Sequence, residues 1–281
     1  MIKAHQKLAE ALKILKRLQS KQGGVVQAGD LKDGHRALLV DEGFLQPVIK
    51  GWYICTYPRD REGDSTAWYV SYWAFLAGYL GERFGKRYCL NAEASLMLHT
   101  GSTLVPPQMV IVCPEGGTSA VTLPFGSSLL IYTDKKNFSS IRTQTKGLQS
   151  YTLAESLCRL PPRVFLSHPR EVEIALGMIG DVRELLFILL QRENMVTAAG
   201  RLAGALRFMQ RPSDADRILQ TMKLSKHKVR EVNPFTIETP TLLPCRERSP
   251  YVLRLASMWS AWRNDVLELF PAPPGLPVSV Q

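Results

Sequence analysis

Apolar residues recur along the N-terminal stretch at helical spacing. Leu8, Leu12, Leu15 and Leu18 stand at i, i+4, i+7 and i+10, while Lys7, Lys13, Lys16 and Arg17 fall mostly between them. That pattern predicts an amphipathic helix from His5 to Gln22, ended by Gly23-Gly24. Val25-Val26-Gln27 is long enough only for a stub of strand. Asp30 is suited to cap a brief second helix around Leu31, and Asp33 a third from Gly34 to Glu42 with Leu38 and Leu39 inward and Gly43 as its stop. Phe44 to Ile49 and Trp52 to Cys55 then read as two strands around Lys50-Gly51.

Beyond a polar, glycine-ended connector at residues 59–63 the pattern turns aromatic. Trp68, Tyr72, Phe75 and Tyr79 are spaced four, three and four, which predicts a helix from Thr66 to Phe84 capped by Ser65 and buried along that stripe. A strand over Lys86 to Leu90 and a helix over Ala92 to His99 follow. Gln108 to Cys113, Ala120 to Leu123 and Ser128 to Tyr132 predict a small meander, with Gly116-Gly117-Thr118 as a hairpin turn and no phosphate loop around it. Tyr151 to Leu160 reads as a helix halted by Pro161-Pro162, and His168-Pro169 as a helix-entry turn. Asp181 to Arg192, Asn194 to Gln210 and Asp214 to Leu224 are three helical patterns sharing a core of Leu185, Leu186, Leu189, Leu202, Leu206 and Ile218. From Lys226 a basic, proline-punctuated stretch reads as a linker. It leads to a last amphipathic helix carrying Trp259 and Trp262 on one face, a candidate partner-binding stripe.

The fold class expected is therefore α+β. An N-terminal winged helix-turn-helix (1–58) precedes a mixed α/β domain with a small antiparallel sheet and a helical C-terminal part (64–225), then the linker and final helix (226–281). In a winged helix the third helix enters the major groove and the hairpin tip touches the phosphate backbone. Those roles fall here on Lys32, His35 and Arg36 and on Lys50.

Charge strengthens the nucleic-acid reading. The 281 residues carry a formal +10 and a pI near 9.5, which favours an anionic partner. Residues 1–50 hold nine Lys or Arg against five Asp or Glu, yet the presumed recognition helix has Arg36 facing Asp33, Asp41 and Glu42, so a protein-docking role stays open. Five cysteines, far apart and without a C-x-x-C pair, indicate neither a disulfide framework nor a zinc cluster. The uncharged run from Ser65 to Gly81 reads as a buried helix and not a membrane span, and a cytoplasmic location is expected. Five scattered histidines and the lack of G-x-S-x-G, H-E-x-x-H or dinucleotide patterns leave no catalytic, cofactor or metal site to assign.

The segment "LVDEGFLQPVIKGWYI" with the αβ region and helices after it resembles the AbiEi-type antitoxins, regulators in bacterial toxin-antitoxin systems. The stretches "HQKLAEALKILKRLQ", "FLQPVIKGWYICTYP", "WYVSYWAFLAGYLGERFG", "LPFGSSL" and "SPYVLRLASMWSAWRNDVLELFPAPPGLP" are similar to the long N-terminal region of a subset of Fic-family (cell filamentation) proteins. With the helix, helix, wing order and the +10 charge, this resemblance leads to the expectation of a non-enzymatic DNA-binding regulator, a homodimer on a repeated site, whose second domain senses or binds a partner such as a cognate toxin. Alternatively it implies an accessory or inhibitory module of a Fic-type AMP transferase that acts by contact with a Fic-domain protein. The Fic catalytic loop H-P-F-x-x-G-N-G-R is missing: Arg170 follows His168-Pro169 where Phe is required, and no G-N-G-R follows.

Overall fold

The computed structural model describes residues 2–58, 63–136, 138–192 and 194–236. Helix α1 (Ile2–Gln22) buries Ala11 and Leu15 and turns Lys7, Lys13, Lys16 and Arg17 to solvent, as its periodicity requires. Gly23 and Gly24 end it with φ of +63° and +85°, a region that side chains with a Cβ rarely enter. Strand β1 (Val25–Gln27) follows, then a 3-10 turn (Ala28–Asp30), helix α2 (Asp33–Asp41) and the hairpin β2 (Leu45–Ile49) and β3 (Trp52–Cys55). All three strands are antiparallel in the order β1-β3-β2.

The expected second helix around Leu31 is absent. Three residues of 3-10 turn stand in its place, and Leu31 itself is extended and buried against α1 and α2. The Gly29 and Asp30 that open this segment favour a turn over a helix interior.

Helix α3 spans Thr66–Phe84 as predicted, with Trp68, Tyr72 and Phe75 fully buried and Tyr79 half-buried, but the expected Ser65 side-chain cap is not made, and the Thr66 amide donates to Asp64 Oδ1 at 2.8 Å. The helix receives the hairpin directly. The Trp52 ring meets Phe75 edge-on at 5.7 Å and Tyr79 at 6.2 Å, and a Cβ at Gly78 would come within 2.8 Å of it. The same core takes in residues of a second sheet of β4 (Cys89–Leu90), β5 (Gln108–Cys113), β6 (Ser119–Thr122) and β7 (Ser128–Thr133), in the order β4-β5-β7-β6. Helix α4 (Ala92–His99), capped by the Asn91 side chain, fills the interval between β4 and β5.

This sheet corrects the expected antiparallel meander. Strands β5 and β7 are parallel, because β6 is placed on the outer edge and β7 returns between it and β5. The segment through Gly116-Gly117 is thus a crossing link and not a hairpin turn. A hairpin is found instead at β8 (Arg142–Thr145) and β9 (Leu148–Tyr151), a polar pair the hydrophobic pattern does not reveal.

Six helices make the other half: α5 (Leu153–Arg159), α6 (Pro162–Ser167), α7 (Pro169–Met178), α8 (Arg183–Leu190), α9 (Val196–Phe208) and α10 (Pro212–Leu224). All six residues expected in their shared core are buried. Glu155 on α5 is wholly buried, and its Oε1 accepts from Arg159 at 2.5 Å and from Arg192 at 3.1 Å. Residues 227–233, expected as part of a linker, cross α9 without regular secondary structure and lead into a turn at 234–235. Gly200 and Gly204 form the floor of this crossing: a Cβ on either would lie 2.0 Å from a carbonyl oxygen, of Arg230 or Val232. The Val232 amide donates to the Gly200 carbonyl, Glu231 pairs with Arg207, and Phe235 packs between Phe165 and Phe208. Trp259 and Trp262 lie outside the described residues.

Gly78→Ala is expected to lower the thermal midpoint. Alanine's helix preference contributes about 1 kcal/mol, but the added methyl meets an indole wedged between two rings, an overpacking that costs about 1–3 kcal/mol. The four described cysteines are buried and unpaired, and burial pushes Cys55 up to about 11 and Cys89 to about 12 from an ordinary 9.0. In a Cys245→Ser protein a thiol reagent at pH 8 should find none of the four until denaturant is added. Below pH 9 the thiols are neutral in both states and cost no stability; from pH 9 upward the unfolded chain ionises first, so unfolding midpoints should fall as pH rises from 9 toward 11 to 12.

Candidate nucleic-acid interface

The 3-10 turn after β1 is the point on which the predicted contact residues converge. The Ala28 amide donates to the Gly51 carbonyl at 2.8 Å, which ties the turn to the tip of the β2–β3 hairpin. Gly51 has φ +84° and leaves the adjacent Lys50 exposed. The Ala28 carbonyl in turn accepts from Arg36 Nη1 at 2.9 Å. Lys32, exposed, precedes α2, and its carbonyl receives the amides of His35 and Arg36. Lys32, Arg36 and Lys50, distant in sequence, therefore share one end of the N-terminal segment.

Their availability differs. Arg36 is held on three sides: by the Ala28 carbonyl, by Asp33 Oδ1 at 2.6 Å, and by the Tyr53 ring, 5.9 Å from its guanidinium carbon. Its side chain is 23% exposed, so it serves the fold as well as any ligand. His35 corrects the sequence reading. It is 7% exposed, its Nδ1 has no partner, and it points into the segment where no DNA base can reach it. One turn of helix separates Leu39 from His35, and that shared inward face decides the matter. The outward positions of α2 are Asp33, Gly34, Ala37 and Asp41. They lack the donors that read base edges.

The hairpin is only partly a projecting ribbon. Pro47 and Lys50 are exposed, but Trp52 and Ile54 face α3. Pro47 sits on the free edge of the sheet, where its missing N–H costs no ladder bond, and the register slips between Pro47 and Ile49. Among the described residues no group of three or more His, Cys, Asp or Glu side chains is gathered to hold a metal ion, and no helix is long and apolar enough to cross a membrane.

Comparison with family models and with curated proteins finds no match for this chain. Among solved structures, it is similar to the RV2827C protein from Mycobacterium tuberculosis, with a TM-score of 0.47 and 16% sequence identity over 75% of this chain and 80% of that one.

Arg36→Ala should destabilise the protein by about 1–2 kcal/mol in denaturant titration, since it strips a charged donor from the part-buried Ala28 carbonyl. Lys50→Ala, at an exposed turn, should leave the midpoint unchanged within ~0.5 kcal/mol.

Proposed function

We propose that this chain is a non-enzymatic, DNA-binding regulator of the antitoxin type, whose N-terminal segment works as a winged helix and whose larger portion engages a protein partner. The observation that supports it is the helix, strand, helix, hairpin order with sheet order β1-β3-β2, which gathers Lys32, Arg36 and Lys50 around one turn. A chain of formal charge +10 adds a long-range attraction toward a polyanion. With His35 inward and α2 acidic outside, binding rests mainly on phosphate contacts, and sequence preference is modest.

A second reading, that the N-terminal segment docks a protein, is favoured by Asp33, Asp41 and Glu42 at and just past the ends of α2. Fluorescence anisotropy with duplex DNA from upstream of its own gene, run over a series of salt concentrations, separates the two. The DNA reading expects affinity to fall steeply with salt, and Lys50→Ala to reduce the magnitude of the log–log slope by about 0.9, one phosphate contact. Absent binding at low salt would leave only the protein-docking reading.

A further inference from the structure

We propose that the DNA-contacting surface continues from the hairpin tip onto the C-terminal end of α3, where Arg83, Lys86 and Arg87 take the phosphodiester backbone of duplex DNA beyond Lys50. The inference rests on the DNA-binding reading and extends it to a part of the chain that the N-terminal motif does not include.

Three contacts bring the two regions together. Trp52, two residues from Lys50, is seated over Gly78 and against Tyr79. Gln27, at the end of β1 beside the tip, donates from Nε2 to Glu82 Oε2 at 3.3 Å. Ala28 binds the Gly51 carbonyl of the tip itself. From Gly78 to Arg83 the helix advances only about 7.5 Å. The exposed residues Arg83, Lys86 and Arg87 thus follow directly after the point where β1 meets α3.

The chemistry of this end suits a phosphate chain. Arg83 donates to the Tyr79 hydroxyl at 2.6 Å, and its guanidinium carbon lies 5.0 Å from the centre of the Phe84 ring. Holding a long side chain in one orientation before binding removes part of the entropy that ordering it would cost. A cleft of about 350 Å³ opens beside it, lined by Arg83, Phe84, Arg87, Pro114, Glu115 and Gly116. Two carboxylates face this end: Glu82, engaged by Gln27, and Glu115, paired with Arg87 at 2.5 Å. Both side chains of the Arg87–Glu115 pair are about two-thirds exposed, at 66% and 65%, so the arginine can exchange its partner for a phosphate without desolvating a buried charge.

The test is anisotropy of the full chain with a random-sequence duplex of about 25 base pairs over a salt series, long enough to span several phosphate contacts. Arg83→Gln, Lys86→Gln and Arg87→Gln are combined in one protein. The control combines Arg217→Gln, Lys223→Gln and Lys226→Gln on and after α10, all exposed and equal in charge removed. The triple variant at the end of α3 and the turn after it is expected to bind at least tenfold more weakly and to lose about 2 to 3 from the magnitude of the salt slope, at an unchanged thermal midpoint, with the control like the wild type. If the α3 variant binds as the wild type does while Lys50→Ala is weakened, this extension is overturned and the DNA reading stands. A control that falls as far as the α3 variant also overturns it, by showing an effect of net charge alone. A wild-type chain that binds no duplex at low salt overturns both.

Discussion

The seat of Trp52 on α3 is the contact on which the arrangement of this molecule depends. One indole joins the three-stranded sheet to the helix that also backs the larger sheet, and it fits only because position 78 has no side chain. The packing is edge-to-face with two rings, a geometry worth more than its buried area alone. It turns one face of the hairpin inward, leaves the tip exposed, and aligns that tip with the polar end of α3.

The helical half uses glycine in the same manner. Gly200 and Gly204 are four residues apart on one face of α9, and the extended segment after α10 lies in the shallow track they leave. Backbone approaches backbone there, and the segment is held by the Val232 amide, the Glu231–Arg207 pair and the Val229 and Phe235 side chains packed on the helical core. The buried carboxylate of Glu155 ties α5 to Arg192 after α8, a charge tolerated inside because two guanidinium groups meet it.

Electrostatics shapes the functional reading more than the fold motif does. A positive total says little about which face is positive. On α2 the outward residues are acidic or neutral, and the one arginine is occupied by a carbonyl, a carboxylate and a ring. The positive charge near this end resides at a cap, at a turn and at the end of another helix. On the DNA-binding reading proposed above, such a distribution would grip phosphates at separated points and read little sequence.

What the sequence determined by itself was the set of elements with strong periodicity: α1, the aromatic α3, the hairpin with its Lys-Gly turn, and the leucine core of the last three helices. Spacing alone tells which side of a regular element is apolar, and burial follows from that. The parallel pairing of β5 with β7 was not legible, because it is decided by a partner far away in the chain, and the polar β8–β9 hairpin was missed because its strands carry little apolar alternation. His35 shows the limit most clearly. Its polarity suggested an outward site residue, but one helical turn from Leu39 it shares the inward face, and tertiary packing outweighs side-chain type. Likewise Arg83, Lys86 and Arg87 read as ordinary solvated charges after an apolar helix. The seat of Trp52 on that helix and the Gln27–Glu82 hydrogen bond tie their end of α3 to the sheet that carries Lys50, and such proximity is a property of packing and not of any local stretch of residues.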